Sequence, residues 1–239
     1  MKISFLFFIL FFNTCFAGTI DPYTPDENYL EYGKKFYFVA KVIGDGSYYA
    51  SAVVLNKNTF ITNAHVAKKI KKIIIEKEDS FLEFEIKEMI IHKDYKKESH
   101  NNDIAIGKTK ENFNLDYYPE IYKQQDELGK KVSICGYGAT GNFSTGKNKI
   151  DKKRRAGTNV IFEISNIMLY CSAKDSNKTE LEFLICHGDS GGGLFIDNKL
   201  AGINCFIDTK DGTYNSNYND NSGYVRVSKY IDWINLNLE

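Results

Sequence analysis

Gly188-Asp189-Ser190-Gly191-Gly192 is the stretch whose reading decides the fold. A serine between glycines can stand on a tight turn with its hydroxyl exposed. The flanking glycines let the backbone approach a substrate and aim N–H groups at a developing oxyanion. Such a serine is a weak nucleophile without a base, and the usual base is histidine. The segment also fits Gly-x-Ser-x-Gly, the nucleophile elbow of α/β-hydrolases, which needs its acid and then its histidine after the serine. His65, His92, His100 and His187 all precede Ser190, so the elbow is excluded. The order His, Asp, Ser stays open. Thr62-Asn63-Ala64-His65-Val66 and Asn102-Asp103-Ile104-Ala105-Ile106 fill it. Asp94 is the nearest rival acid, but Asp103 has the aliphatic strand after it.

Those three segments, in this order, resemble the chymotrypsin/trypsin-like serine protease family. Gly136-Tyr137-Gly138-Ala139 resembles the family's Gly-Trp-Gly segment. Gly202-Ile203-Asn204-Cys205-Phe206 resembles the strand that flanks bound substrate, and Gly223-Tyr224-Val225-Arg226-Val227 the closing strand before a C-terminal helix. The resemblance runs from about Phe36 to the C-terminus. It implies an all-β fold of two antiparallel six-stranded β-barrels with a C-terminal α-helix.

The strand pattern agrees. Candidate strands are Phe36–Ile43, Tyr49–Leu55, Thr59–Thr62, Lys72–Glu76, Phe81–Ile91 and Ile104–Gly107, then Lys131–Tyr137, Val160–Ile164, Glu182–Cys186, Gly193–Ile196, Leu200–Ile207 and Gly223–Val227. In Phe81–Ile86, Leu82, Phe84 and Ile86 alternate with Phe81, Glu83 and Glu85, a period of two that fits one buried face. The protease domain is expected over 36–239, with barrels at about 36–115 and 130–227, a polar linker over 109–130 and a helix over 228–238 capped by Ser228. Residues 18–35 read as an extended arm. Gly141–Thr158 carries Lys152-Lys153-Arg154-Arg155 and reads as a solvated, protease-sensitive loop, or else a processing or docking site. Asp208–Gly223 reads as a mobile loop beside the cleft, or an exosite.

Basic and acidic side chains balance, with 31 lysines and arginines against 31 aspartates and glutamates, so net charge gives no case for nucleic acid or an anionic membrane. Lys2, the apolar run Ile3–Phe12 and Cys15-Phe16-Ala17 read as a cleavable signal peptide over 1–17, too short to span a bilayer, which needs about 20 residues. Export to the medium or periplasm follows, with Gly18 first in the mature chain and no membrane association afterwards. Cys135, Cys171, Cys186 and Cys205 are then an even set that reads as disulfides with open pairing. By resemblance Cys171 pairs with Cys186, leaving Cys135 and Cys205 as a second pair or as buried thiols. No metal site or cofactor is expected, because the cysteines lack paired short spacing and the histidines are scattered. Asn142 and Asn177 stand in Asn-x-Ser/Thr sequons.

The resemblance implies that Ser190 is the nucleophile, His65 its base and Asp103 the group that orients His65. The N–H groups of Gly188 and Ser190 form the oxyanion hole. Leu184 floors the specificity pocket, or else is plain core. Ser222 and Tyr224 lie nearby, Cys205 and Phe206 form a wall, and His187 forms the rim. A leucine floor implies apolar or aromatic side chains on the acyl side of the cut. Asp189 pairs in many relatives with a newly freed N-terminal ammonium. No Ile-Val-Gly-Gly start occurs here, so signal-peptide removal is expected to supply the competent N-terminus. Protein or peptide is the expected partner of a monomeric endopeptidase. The other reading is an interaction protein that keeps the protease fold without turnover.

Overall fold

The structure, a computed structural model, describes residues 18–77, 80–173 and 178–238. The segment read as a signal peptide, Cys15 within it and the Asn177 sequon lie outside the described residues. Among the described residues no helix is long and apolar enough to cross a membrane.

Six antiparallel strands close a barrel in the order Val39–Gly44, Tyr49–Val54, Thr59–Thr62, Ala105–Thr109, Ser80–Ile91 and Ile70–Lys77. Alternating Val, Ile, Ala and Phe fill it, including Val42, Ala52, Phe60, Ile73 and Ile106. In Ser80–Ile91 the period of two holds at Phe84, which is buried, and fails at Leu82, which is exposed. The second lobe is a seven-stranded sheet, ordered Arg155–Val160, Lys131–Gly136, Gly193–Ile196, Lys199–Asp208, Asn221–Arg226, Met168–Ser172 and Glu163–Ile164. It is a half-barrel, and a four-stranded sheet flanks it: Gly146–Lys149, Thr140–Asn142, Gly18–Ile20 and Phe183–Leu184. A helix over Ile231–Leu238 ends the described chain. Ser228 does not cap it. That residue lies in a 3₁₀ turn and donates to Glu127 Oε1 at 2.8 Å.

Three sequence expectations change here. Residues 18–35 are not an extended arm: Gly18–Ile20 is an inner strand, and Asp26–Lys34 is a helix that buries Tyr29 and Gly33. Acidic Asp26 and Glu27 in the first turn and Lys34 in the last suit the helix dipole. The basic run is not all solvated, since Arg154 and Arg155 are buried. Arg155 bonds both oxygens of Asp26, at 2.6 and 2.8 Å, and Arg154 Nε donates to the Gly33 carbonyl at 3.0 Å. The four described cysteines are free, buried thiols, so neither the Cys171–Cys186 pair nor a Cys135–Cys205 pair is formed. Three of the thiols have other partners. Cys171 faces Ser222 across a strand pair, Cys135 faces Gly193, and Cys205 donates to Asp103.

Candidate active site

Strand pairing explains how His65 and Asp103, far apart in sequence, meet. Thr62 ends one barrel strand opposite Ala105, which begins the next. The residues just past those ends, His65 on the short helix Ala64–Ala67 and Asp103, therefore share one rim. Asp103 Oδ2 accepts from His65 Nδ1 at 2.6 Å, and Asp103 Oδ1 accepts the His65 backbone N–H at 2.9 Å. Asn63 Nδ2 donates to the Asp103 carbonyl at 2.9 Å. Asp103 is fully buried. Burial alone would raise its carboxyl, but the imidazoles of His100 and His65 outweigh that and hold it well below the usual carboxylate range. Asp103 therefore stays ionised beside His65.

Ser190 sits in the turn before the strand Gly193–Ile196. Its carbonyl accepts the Ser51 N–H at 2.8 Å, and Ser51 Oγ donates to the Gly188 carbonyl at 2.9 Å while accepting the Tyr137 N–H at 3.0 Å. Ser51 thus ties the Gly188–Gly192 turn to the first barrel. No sequence signal marked it, because a strand serine has no spacing rule. Asn204 clamps the other side, accepting the Gly191 N–H and donating its own N–H to the Gly192 carbonyl, both at 2.9 Å. Ser190 Oγ is 3.4 Å from the Cys205 carbonyl, a long contact. Among the described residues no hydrogen bond joins Ser190 to His65. Both line one depression of about 360 Å³, and such contacts commonly tighten only when substrate binds.

Gly188 has φ +97, a conformation that favours glycine, and a Cβ there would strike the Tyr49 ring. The preceding carbonyl, of His187, accepts from the Ala139 N–H at 2.6 Å and from Tyr49 Oη at 3.4 Å. A trans peptide points its N–H opposite its carbonyl. With the carbonyl held by Ala139, the Gly188 N–H points away from that residue. Among the described residues neither it nor the Ser190 N–H has a protein acceptor. Two N–H groups beside the serine are thus without a protein partner among the described residues.

Asp189 is fully buried, and its carboxylate packs against Gly136 and Gly138, where side chains would strike it. It accepts from the Gly138 and Cys186 N–H groups, each at 2.7 Å. Burial nonetheless pushes it up to about 7. No ion pair forms on it among the described residues.

A cleft of about 530 Å³ opens beside Ser190. His187, Cys205 and Phe206 line it, together with Ile185, Ile207 and Tyr214. Leu184, Ser222 and Tyr224 do not line it: all are fully buried. Leu184 lies in the second core with Phe183 and Leu169. Ser222 Oγ accepts the Ile185 N–H from behind at 3.2 Å. Ser216 Oγ donates to the Ile185 carbonyl at 2.6 Å, so the Asp208–Gly223 loop is fastened to this wall. The wall residue is Ile185, one position past the expected floor.

The chain is similar to known proteins over most of its length. The family model described as Trypsin matches residues 30–234. Trypsin eta of Drosophila melanogaster is 28% identical over 162 residues, which cover 62% of this chain and 58% of that protein. A chymotrypsin of Phaedon cochleariae is 24% identical over 226 residues, 84% of this chain and 76% of that protein. The solved structure of neuropsin, a serine protease expressed in the limbic system of mouse brain, has the same fold. Its TM-score is 0.71 at 19% identity, over 87% of this chain and 96% of that one.

Proposed function

The chain belongs to the trypsin family of serine-type endopeptidases, and we propose that it cleaves proteins or peptides as an exported monomer through a Ser190–His65–Asp103 triad. The observation that carries this reading is the 2.6 Å His65–Asp103 bond on the rim of a depression that also holds Ser190. Ser190 attacks the scissile carbonyl as His65 Nε2 takes its proton. Asp103 keeps the other ring nitrogen protonated and stabilises the imidazolium. The Gly188 and Ser190 N–H groups receive the oxyanion. His65 then protonates the leaving amine, and water repeats the sequence to release the acid. The depression shared with His65 suits the leaving-group side, and the larger cleft suits the acyl side. None of the three positions is lost, so a scaffold without turnover is not favoured.

The cleft wall of Ile185, Cys186, Cys205, Phe206 and Ile207 supports a preference for apolar or aromatic side chains on the acyl side. Digestion of a peptide library is expected to show cuts after such residues, abolished by a fluorophosphonate. No cutting at all would defeat the protease reading. A strong preference for Arg or Lys would defeat the pocket reading and shift the role to Asp208, the carboxylate in the cleft lining.

Export by removal of residues 1–17 would also activate the enzyme. Gly18 N donates to the Ala139 carbonyl at 2.8 Å, next along the chain from Gly138, whose N–H holds Asp189. A freed Gly18 ammonium is thus positioned to turn toward that buried carboxylate. Protein beginning at Gly18 is expected to be active, and the same protein with Nα-acetyl-Gly18 to lose about 100-fold in kcat/KM, as an unpaired buried charge implies. The pH dependence follows. In the blocked form Asp189 titrates near 7, above its unfolded value, so stability is full at low pH and falls as pH rises through 7. The free amine flattens that fall. Equal activity and equal pH profiles in the two forms would refute the pairing.

A further inference from the structure

The spacing of histidines and cysteines gives no metal site, yet the fold gathers three donors around one carboxylate. Donor atoms from His100, Asp103 and Cys205, one from each, lie within 4.8 Å of one another. His100 Nδ1 is 3.6 Å from Asp103 Oδ2, and Cys205 Sγ is 3.3 Å from the same oxygen. A tetrahedral ion with bonds of about 2.0–2.3 Å holds neighbouring donors roughly 3.3–3.6 Å apart. Two edges of the site therefore already have the needed length. The strand register shifts between Asn204 and Phe206, a bulge that can re-aim Cys205 toward Asp103. His100 has φ 53, and its ring stacks on Phe206 at 5.2 Å. Its Nδ1 is buried and has no hydrogen-bond partner. His100 and Cys205 both line the open cleft, which gives an ion a way in. Nitrogen, carboxylate and thiol donors together suit a borderline-soft cation.

We propose that His100, Asp103 and Cys205 form an inhibitory site for a divalent cation of the zinc class. The proposal rests on the reading of Asp103 as the partner of His65. On binding, the ion forms bonds to Nδ1, Oδ2 and Sγ, with water in the fourth position, and the Cys205 thiol proton leaves to solvent. The ion draws on the carboxylate oxygen that His65 uses. The carboxylate can then no longer stabilise the imidazolium, and turnover stops.

The test separates binding from catalysis. Co²⁺ titrated into the Ser190→Ala protein is expected to give a thiolate-to-cobalt charge-transfer band at one ion per chain, displaced by Zn²⁺. Cys205→Ser should remove the band, and His100→Ala should weaken binding by about 100-fold. In active protein, Zn²⁺ should lower peptide hydrolysis by at least about tenfold at saturation. Each variant, compared with its own metal-free rate, should lose that sensitivity. No band, or a band indifferent to Cys205→Ser, overturns the site. Zn²⁺ inhibition unchanged in both variants overturns its inhibitory role. A normal band in a chain that never hydrolyses peptides leaves the site standing and refutes the triad instead.

Discussion

Ser190→Ala is expected to lower kcat by about 10⁵-fold, and His65→Ala by about as much, with the double variant no worse than either. The equality follows from their joint action. Without His65 the Ser190 hydroxyl keeps its proton, and without Ser190 His65 has no proton to take. Asp103→Asn is expected to cost about 10⁴-fold for a different reason. Asp103 Oδ2 accepts from His65 Nδ1 at 2.6 Å, and an amide placed there can donate instead. A donated bond would fix the tautomer with its proton on Nε2, the atom that must face Ser190. Residual activity should survive in all three variants, because the Gly188 and Ser190 N–H groups are fixed by the backbone. The His187 carbonyl, pinned by Ala139, holds the first of them whatever occupies positions 65 and 103. Steady-state kinetics on an apolar peptide substrate decide the matter. Losses that multiply in the double variant, or wild-type rates in Ser190→Ala, would mean the three residues do not act as a unit.

In the sequence His65 and Asp103 are joined only by the order of motifs that resembles a known family, and what brings them together is strand pairing of Thr62 with Ala105, which puts the two segment ends on one rim. The cleft was less legible. Leu184 and Ile185 are both apolar, and sequence does not say which of two adjacent residues faces inward. Pairing of Thr19 with Leu184 settles it, and that contact spans most of the chain. The cysteines misled for a related reason. Their even number fits disulfides, but the count carries nothing about separation, and Cys171, Cys135 and Cys205 face Ser222, Gly193 and Asp103 rather than one another. The meeting of His100, Asp103 and Cys205 was invisible too, since a strand bulge in one lobe meets a left-handed residue in the other. The basic run Lys152-Lys153-Arg154-Arg155 is the largest departure. Charge composition predicts water around it, but distant backbone carbonyls draw Arg154 inside and the distant carboxylate of Asp26 draws in Arg155.

That partner sets the second large effect. Arg155→Ala is expected to destabilise the protein by about 3–5 kcal/mol, the range for leaving a buried charge unpaired. Arg155 bonds Asp26 at 2.6 and 2.8 Å and Asp151 at 3.0 and 2.8 Å. Its side chain is 1% exposed, and that of Asp26 is 5%. Burial raises the Asp26 carboxyl, and the guanidinium opposes that rise, so removing Arg155 leaves a carboxylate with burial and without its strongest support. Asp151, more exposed at 12%, can turn to water. Asp151→Ala should therefore cost less than Asp26→Ala. The consequence reaches the site. The helix Asp26–Lys34 follows the strand Gly18–Ile20, and the latter holds the proposed activating amine beside Asp189's wall. Loosening the helix should thus lower activity at a urea concentration where the global fold survives, and should expose residues 20–35 to limited proteolysis. Urea midpoints at constant m-value measure the stability term. A loss under about 1 kcal/mol for Arg155→Ala would place the pair among weak surface bridges. Full activity in a variant already cut within 20–35 would separate this knot from the catalytic centre.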